Sequence, residues 1–188
     1  MPGPIVEVGD EIVLRAVERD DAAFLQRLYA DPWARVGLRA DGHRNEAEVE
    51  EAIEEEFEDD DNAVYLACVD EPDAPYGHPD EDETTPVAFV YVSHVDRDRP
   101  GVVHWVAPEH RGEGYGEAAL ELVVETLFRT YDAHSLSASV PGGDDRARER
   151  FESVGFVHEG ANREMVFVEG AYRDVHQYGL LREEREGE

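Results

Sequence analysis

The hydrophobic pattern divides the chain into short strands and helices that alternate along its length. Residues 11–16 (EIVLRA) read as a strand. Residues 20–30 read as a helix that Asp20 or Asp21 can cap, with Ala23, Phe24 and Leu28 on one side. Residues 46–61 carry eleven acids in sixteen positions, yet Val49, Ala52, Ile53 and Phe57 keep the spacing of an amphipathic helix. Its charge run reads as a solvated face or as a docking face for a cationic partner. Residues 63–69 (AVYLACV) are continuously apolar, as in a strand buried on both faces. Residues 70–85 hold three prolines, one glycine and seven acids, which predicts a long loop with a mobile tip. That loop joins the strand over 63–69 to a second one over 86–95, and the two form an antiparallel pair.

The second half is more regular. Residues 102–106 (VVHWV) predict a strand. Residues 115–131 predict a helix with Ala119, Leu122, Val123, Thr126 and Leu127 on one face. Residues 134–140 (HSLSASV) alternate strictly between apolar and polar, the mark of a half-buried strand. Residues 144–154 predict a helix capped by Asp144 and ended by Gly155. Residues 156–168 and 171–181 predict a hairpin turning at Glu169 and Gly170. From Arg182 the chain is polar and is expected to fray. The order is β-α-α-β-β-β-α-β-α-β-β with no internal repeat: a mixed α/β domain of α+β type with a mostly antiparallel sheet over 1–181, and a tail over 182–188.

Charge narrows the possible functions. The 188 residues include 46 Asp or Glu against 17 cations, all of them arginine, for a net charge of −29. Such a surface repels phosphate backbones and anionic lipid, so neither nucleic acid nor a membrane is expected as partner. The absence of lysine removes a P-loop, a Schiff base and a kinase-type ATP site. Seven Phe, eight Tyr and two Trp give a core that a disordered acidic chain lacks. At molar salt the Debye length is about 3 Å, so self-repulsion is largely screened. The composition resembles that of cytoplasmic proteins from salt-accumulating halophilic archaea. A single cysteine, Cys68, excludes an internal disulfide and a cysteine-based zinc site, and no metal site is expected. The start lacks a signal-peptide pattern and no stretch is apolar enough to span a bilayer, so a cytoplasmic location is expected.

One segment concentrates the candidate chemistry: residues 102–119, VVHWVAPEHRGEGYGEAA. A strand runs into Arg111, Gly112, Glu113, Gly114, Tyr115 and Gly116, and a long helix follows at once. Glycines let the backbone approach a ligand, free amides of a first helical turn point at it, and the helix dipole favours an anion there. The spacing is not G-x-G-x-x-G, because the third position is Glu117. It is R-x-x-G-x-G.

That spacing resembles the cofactor loop of the GNAT acetyltransferases. The similarity extends to residues 14–32, to DDRARERFESVGF over 144–156 and to the closing hairpin over 155–181, in the manner of the RimJ/RimL-like branch. It implies a GNAT fold with about seven strands and about four helices. It also implies acetyl-CoA as cosubstrate. The amides of Arg111 to Gly116 would hold the pyrophosphate. Main-chain groups of Trp105 and Val106 would meet the pantetheine arm and the acetyl carbonyl. Asp144 stands where relatives usually carry a pantetheine-touching Asn, and Phe151 where many carry a general-acid Tyr. Pro100–Gly101 and Ala147 occupy two further positions where relatives carry a Glu and a Ser. The remaining acid–base candidates are His104, Glu109, Ser137 and Glu164. Acid at the mouth of the channel is expected to attract the cationic acceptor amine.

The implied activity is transfer of an acetyl group to a primary amine, foremost a protein N-terminal α-amine, by direct attack in a ternary complex. The alternatives are a polyamine or antibiotic amine as acceptor, an acyl-CoA-binding module without turnover, and a binder of some other phosphate. Monomer and homodimer both fit.

Overall fold

The computed structural model describes residues 1–40, 42–57 and 60–186. Its strands are β1 (Ile5–Val8), β2 (Val13–Ala16), β3 (Asn62–Asp70), β4 (Thr84–Ser93), β5 (Gly101–Val106), β6 (Ser135–Pro141), β7 (Val157–Val168) and β8 (Ala171–Leu181). They form one sheet in the order β1-β2-β3-β4-β5-β6-β8-β7. Every neighbouring pair is antiparallel except β5 with β6. The eighth strand, beyond the seven expected, is β1. It has only four residues and sits at the sheet edge, folded back onto β2 through a Gly9 N–H to Ile12 C=O bond of 2.9 Å.

The helices are α1 (Ala22–Ala30), α2 (Pro32–Leu38), α3 (Glu46–Ala52), α4 (Tyr115–Thr130), α5 (Asp145–Ser153) and α6 (Arg182–Glu186). α2 falls outside the expected elements. Asp31 caps it by accepting from the Trp33 N–H at 3.0 Å, and Pro32 occupies its first turn. α3 opens on a reciprocal Asn45–Glu48 capping box and continues as a π turn over Ile53–Phe57. The helix expected over 46–61 is therefore shorter. Residues 58 and 59 lie outside the described residues, and β3 begins at Asn62.

The sheet separates two cores. On one face α1, α2 and α3 bury Leu25, Leu28, Val49, Ile53, Phe89 and Trp105. On the other, α4 and α5 bury Val102, Leu120, Val123, Leu127, Leu136 and Phe151. β3 supplies Leu66 and Cys68 to the first and Tyr65 and Ala67 to the second, as a strand buried on both faces must.

Two arginines correct the expected mobile segments. Arg15 is fully buried and pairs with Asp70 at 2.6 Å. It also donates to the carbonyls of Gly3, Pro75 and Gly77. Together with an Ile5 N–H to Tyr76 C=O bond of 2.8 Å, this straps the β3–β4 insertion to the N-terminal strands. The expected frayed tail begins as a helix instead. The Arg182 fork donates to the carbonyls of Phe128, Tyr131 and Ala133, capping the C-terminus of α4.

The feature that positions the site is the parallel pair. β5 and β6 meet only at Gly101 and Ser137, then part toward Val106 and Pro141. Among the described strands, every other neighbouring pair shares at least three register positions.

Candidate active site

After β5 the chain makes a tight turn over Pro108–His110 and enters the glycine loop. Gly112 and Gly114 sit at φ 92° and 90°, a left-handed backbone that other residues adopt only with strain. A Cβ at either would meet nothing within 4 Å, so the two glycines border an open concavity. Gly114 is the N-cap of α4, and no side chain caps the helix. The amides of its first turn are left to a ligand. Gly116 is required for a different reason. A Cβ there would lie 2.7 Å from Val106 Cγ2 and 2.9 Å from Arg150 Nε. Its absence lets α4 press against β5.

Three arginines surround this concavity: Arg111, Arg146 and Arg150. Burial depresses the Arg150 pKa, Asp144 offsets part of that, and the charges of Arg111 and Arg146 depress it further. Mutually repelling guanidiniums beside a glycine-lined helix N-terminus form a site that an anion relieves. The Arg146–Arg150 pair was missed in the sequence, although their i, i+4 spacing places both on one face of α5.

Val106, Arg111, Arg146 and Arg150 also line the gap between β5 and β6, so the two spaces are continuous. The Ala107 N–H bonds to the Val87 carbonyl at 3.0 Å. By antiparallel alternation, Trp105 then spends its main-chain groups on β4, while those of His104 and Val106 face the gap. The Val106 carbonyl accepts from Arg111 Nε at 3.1 Å, which leaves the Val106 N–H toward the opening. Trp105 contributes its side chain instead: the indole donates to Asp31 at 3.2 Å and packs edge-on against Phe24. The expected main-chain role fits Val106 and not Trp105.

Asp31 joins the parts. Its carboxylate accepts from Arg111 at 2.7 Å, from the Trp33 N–H and from the Trp105 indole. Burial pushes its pKa up, but these three donors outweigh that and hold it below the usual value. Arg111 is thereby latched to the start of α2, and its backbone rather than its whole side chain serves the loop.

His104 is oriented by Arg150, whose Nη1 lies 3.0 Å from Nδ1. A guanidinium only donates, so Nδ1 accepts and Nε2 carries the proton. Nε2 is sealed from solvent and has no partner among the described residues. Burial, reinforced by the Arg150 charge, holds the ring well below its usual pKa. The imidazole lone pair is therefore occupied, and the expected general base is a neutral hydrogen-bond donor.

The other candidates are dispersed. Ser137 sits at the closed apex of the gap, donating to the Pro100 carbonyl at 3.1 Å. Glu164 is exposed in a bulge of β7 at φ 48°, and it lines neither the gap nor the groove beyond. Glu109 pairs with Arg27 on the surface. Glu113 turns its side chain to His110 at 3.1 Å, and Tyr115 packs against the core. Asp144 caps α5 through the Ala147 N–H at 3.1 Å and lines the gap. Phe151 is buried against Phe156 and Tyr178, with no proton to give. Cys68 is buried, and burial pushes its thiol up to about 12, so it is no nucleophile.

Past the gap lies a groove bounded by α2, β4, β5, β6 and the β7–β8 hairpin, sharing Gly37, Val102, Val103 and Ser139 with it. Among the described residues, no carboxylate lines this groove, the approach left to an acceptor. The acid expected at the mouth is not found among the described lining residues. Among the described residues no cluster of metal-ligating side chains occurs, and no helix is long and apolar enough to cross a membrane.

Comparison with known proteins agrees with this geometry. Residues 11–157 match the family described as "Acetyltransferase (GNAT) domain". A spermidine N(1)-acetyltransferase of Vibrio cholerae is 23% identical over 174 residues, 93% of this chain and 95% of that protein. YdaF of Bacillus subtilis (strain 168), provisionally named a ribosomal N-acetyltransferase, is 31% identical over 85 residues, 45% of this chain and 46% of its own length. The solved structure of a Vibrio cholerae spermidine N-acetyltransferase in complex with CoA and spermine superposes with a TM-score of 0.77 at 21% identity, covering 94% of this chain and 98% of that one.

Proposed function

The chain belongs to the GNAT acetyltransferase family and uses acetyl-CoA, and on that premise we propose that it acetylates a primary α-amine by direct attack in a ternary complex. The observation that carries the reading is one continuous passage. It leads from an arginine-ringed glycine cradle, through the parted β5 and β6, to an open groove.

In this reading the amides from Arg111 to Gly116, with Arg146 and Arg150, hold the pyrophosphate, and the pantetheine arm enters between β5 and β6. The Val106 N–H donates to the thioester oxygen as charge develops there. The amine nitrogen attacks the carbonyl carbon, a C–N bond forms, the C–S bond breaks and the sulfur leaves as thiolate. The amine's proton passes to water, since Asp31 is tied by three donors and His104 has no free lone pair. An α-amine, with a pKa of about 7.7–8.0, sheds that proton far more readily than an alkyl amine. Placement on the acceptor side leaves the transfer to proximity and oriented dipoles.

The likeness to the Vibrio cholerae enzymes, named for spermidine, supports a polyamine as the second reading of the acceptor. We read the acidic coat as adaptation to high salt. The test is release of CoA thiol in molar KCl with a panel of α-amines and polyamines, alongside calorimetry with acetyl-CoA. Binding together with amine-dependent release supports the proposal. Binding without release from any amine identifies a binding module, and no binding refutes the site.

A further inference from the structure

Among the described residues, the groove beyond the gap has no acid in its lining, unlike the cradle, the gap and the cavity beside β1 and α4. At the chain's average of 46 acids in 188 residues, about four of its eighteen lining residues would be carboxylates; none is. Its charged members are Arg39 and Arg99, with His94 beside them. The loop cradle carries Glu117 and Glu149, the gap carries Asp31 and Asp144, and a surface cavity beside β1 and α4 carries five acids. The contrast is local, so the global field does not account for it.

The two arginines differ in what they already hold. Arg39 ends α2 in a left-handed conformation at φ 55°. It is exposed and makes no ion pair among the described residues. Arg99 is paired on one side with Glu159, an exposed carboxylate outside the lining, and keeps the rest of its fork. On the same face of β8 as the lining residues Val175 and Gln177 stands Arg173, whose Nε is buried without a partner. The remaining walls are largely apolar, with three hydroxyls: Ser93, Ser137, and Ser139, which donates to Gln177 at 2.9 Å.

A polyamine is a chain of cations, and the charged side chains in this groove's lining are cationic, Arg39 without an ion pair among the described residues and Arg99 paired on one side only. Recognition of a spermidine-like acceptor needs carboxylates along its path, and among the described residues none lines this groove. We infer that the acceptor is a primary amine bearing a carboxylate close to the reacting nitrogen, held by Arg39 and Arg99. The inference rests on the acetyl-transfer reading and names its substrate class. The chemistry has two sources, a peptide N-terminus followed by acidic side chains and a free acidic amino acid. Guanidiniums suit either, because their planar fork matches a carboxylate's two oxygens.

The test measures kcat/KM for CoA release in molar KCl with four probes: Ser-Glu-Asp-Ala, Ser-Arg-Arg-Ala, free glutamate and spermidine. The acidic peptide or glutamate is expected to exceed the basic peptide and spermidine at least tenfold, and which of the two leads identifies the source. Arg39→Asn, which suits the left-handed site, and Arg99→Gln should each lower the preferred value at least fivefold without changing acetyl-CoA affinity, which also reports folding. Spermidine or the basic peptide equalling the acidic probes overturns the inference while leaving acetyl transfer standing. So does an unchanged acidic preference in both variants. Acetyl-CoA binding with no release from any probe overturns acetyl transfer itself, and the inference with it.

Discussion

If Arg150 occupies the Nδ1 lone pair of His104, the folded protein refuses a proton that the unfolded chain accepts. In the unfolded chain the imidazole has a pKa of about 6.5; in the fold, burial and the adjacent Arg150 hold it well below that. Stability from this residue is therefore complete above about pH 6.5. It is lost as pH falls, because the unfolded state then binds the additional proton. The loss approaches about 1.4 kcal/mol per pH unit, which integrates to about 1.4 kcal/mol between pH 7.5 and 5.5. The substitution His104→Gln removes the titration but keeps an acceptor for Arg150. Urea unfolding in molar KCl at the two pH values gives four stabilities. The wild type should lose about 1.4 kcal/mol more than the variant on acidification. The other histidines and all carboxylates contribute equally to both proteins and cancel. Superimposable pH dependences would refute the buried neutral ring, and would restore His104 as a candidate base.

Further expectations concern the scaffold, the cofactor loop and the surface. Arg15→Met leaves Asp70 facing its remaining partner, Thr84, and strands three carbonyls; it should cost about 3–5 kcal/mol in urea unfolding, and adding Asp70→Leu should recover part of it. Gly114→Val forces a branched residue to φ 90°, costing about 1–2 kcal/mol of stability, and fills the cradle. Calorimetry should then show acetyl-CoA affinity lowered by at least about tenfold, from the lost approach of the helix amides. Lowering KCl from 1 M to 0.1 M lengthens the Debye length from about 3 to about 10 Å and exposes the self-repulsion of a −29 chain, so the urea midpoint should fall steadily. A midpoint independent of salt would count against the acid as salt adaptation.

What could be read from the chain depended on whether the signal was local. The strict alternation over 134–140 and the Asp144 cap of α5 need only their own neighbours, and both are present as expected. The Glu169–Gly170 turn is equally local, since both residues adopt the left-handed backbone of a two-residue hairpin. The cradle glycines likewise announced themselves by spacing. α2 was overlooked because seven residues containing Gly37 carry no long apolar stripe, although Asp31 followed by Pro32 is a helix-start signal. The parting of β5 from β6 has no local signature. It follows from one parallel register pair between strands separated by α4. The groove is assembled from five separate segments, with no carboxylate among its described lining residues, while a sequence dense in acid points to the opposite charge at its mouth. His104 lines the gap, but the arginine that occupies its lone pair lies 46 residues away, so no local pattern reveals that contact.

The central claim is that both substrates occupy this passage together and that no residue of the protein carries the acetyl group. An initial-velocity matrix, varying acetyl-CoA against the preferred amine and reading free CoA thiol, tests it directly. Double-reciprocal lines that intersect are expected, with no acetyl label on protein quenched during turnover. Parallel lines with an acetylated side chain, at Cys68 or elsewhere, would contradict it.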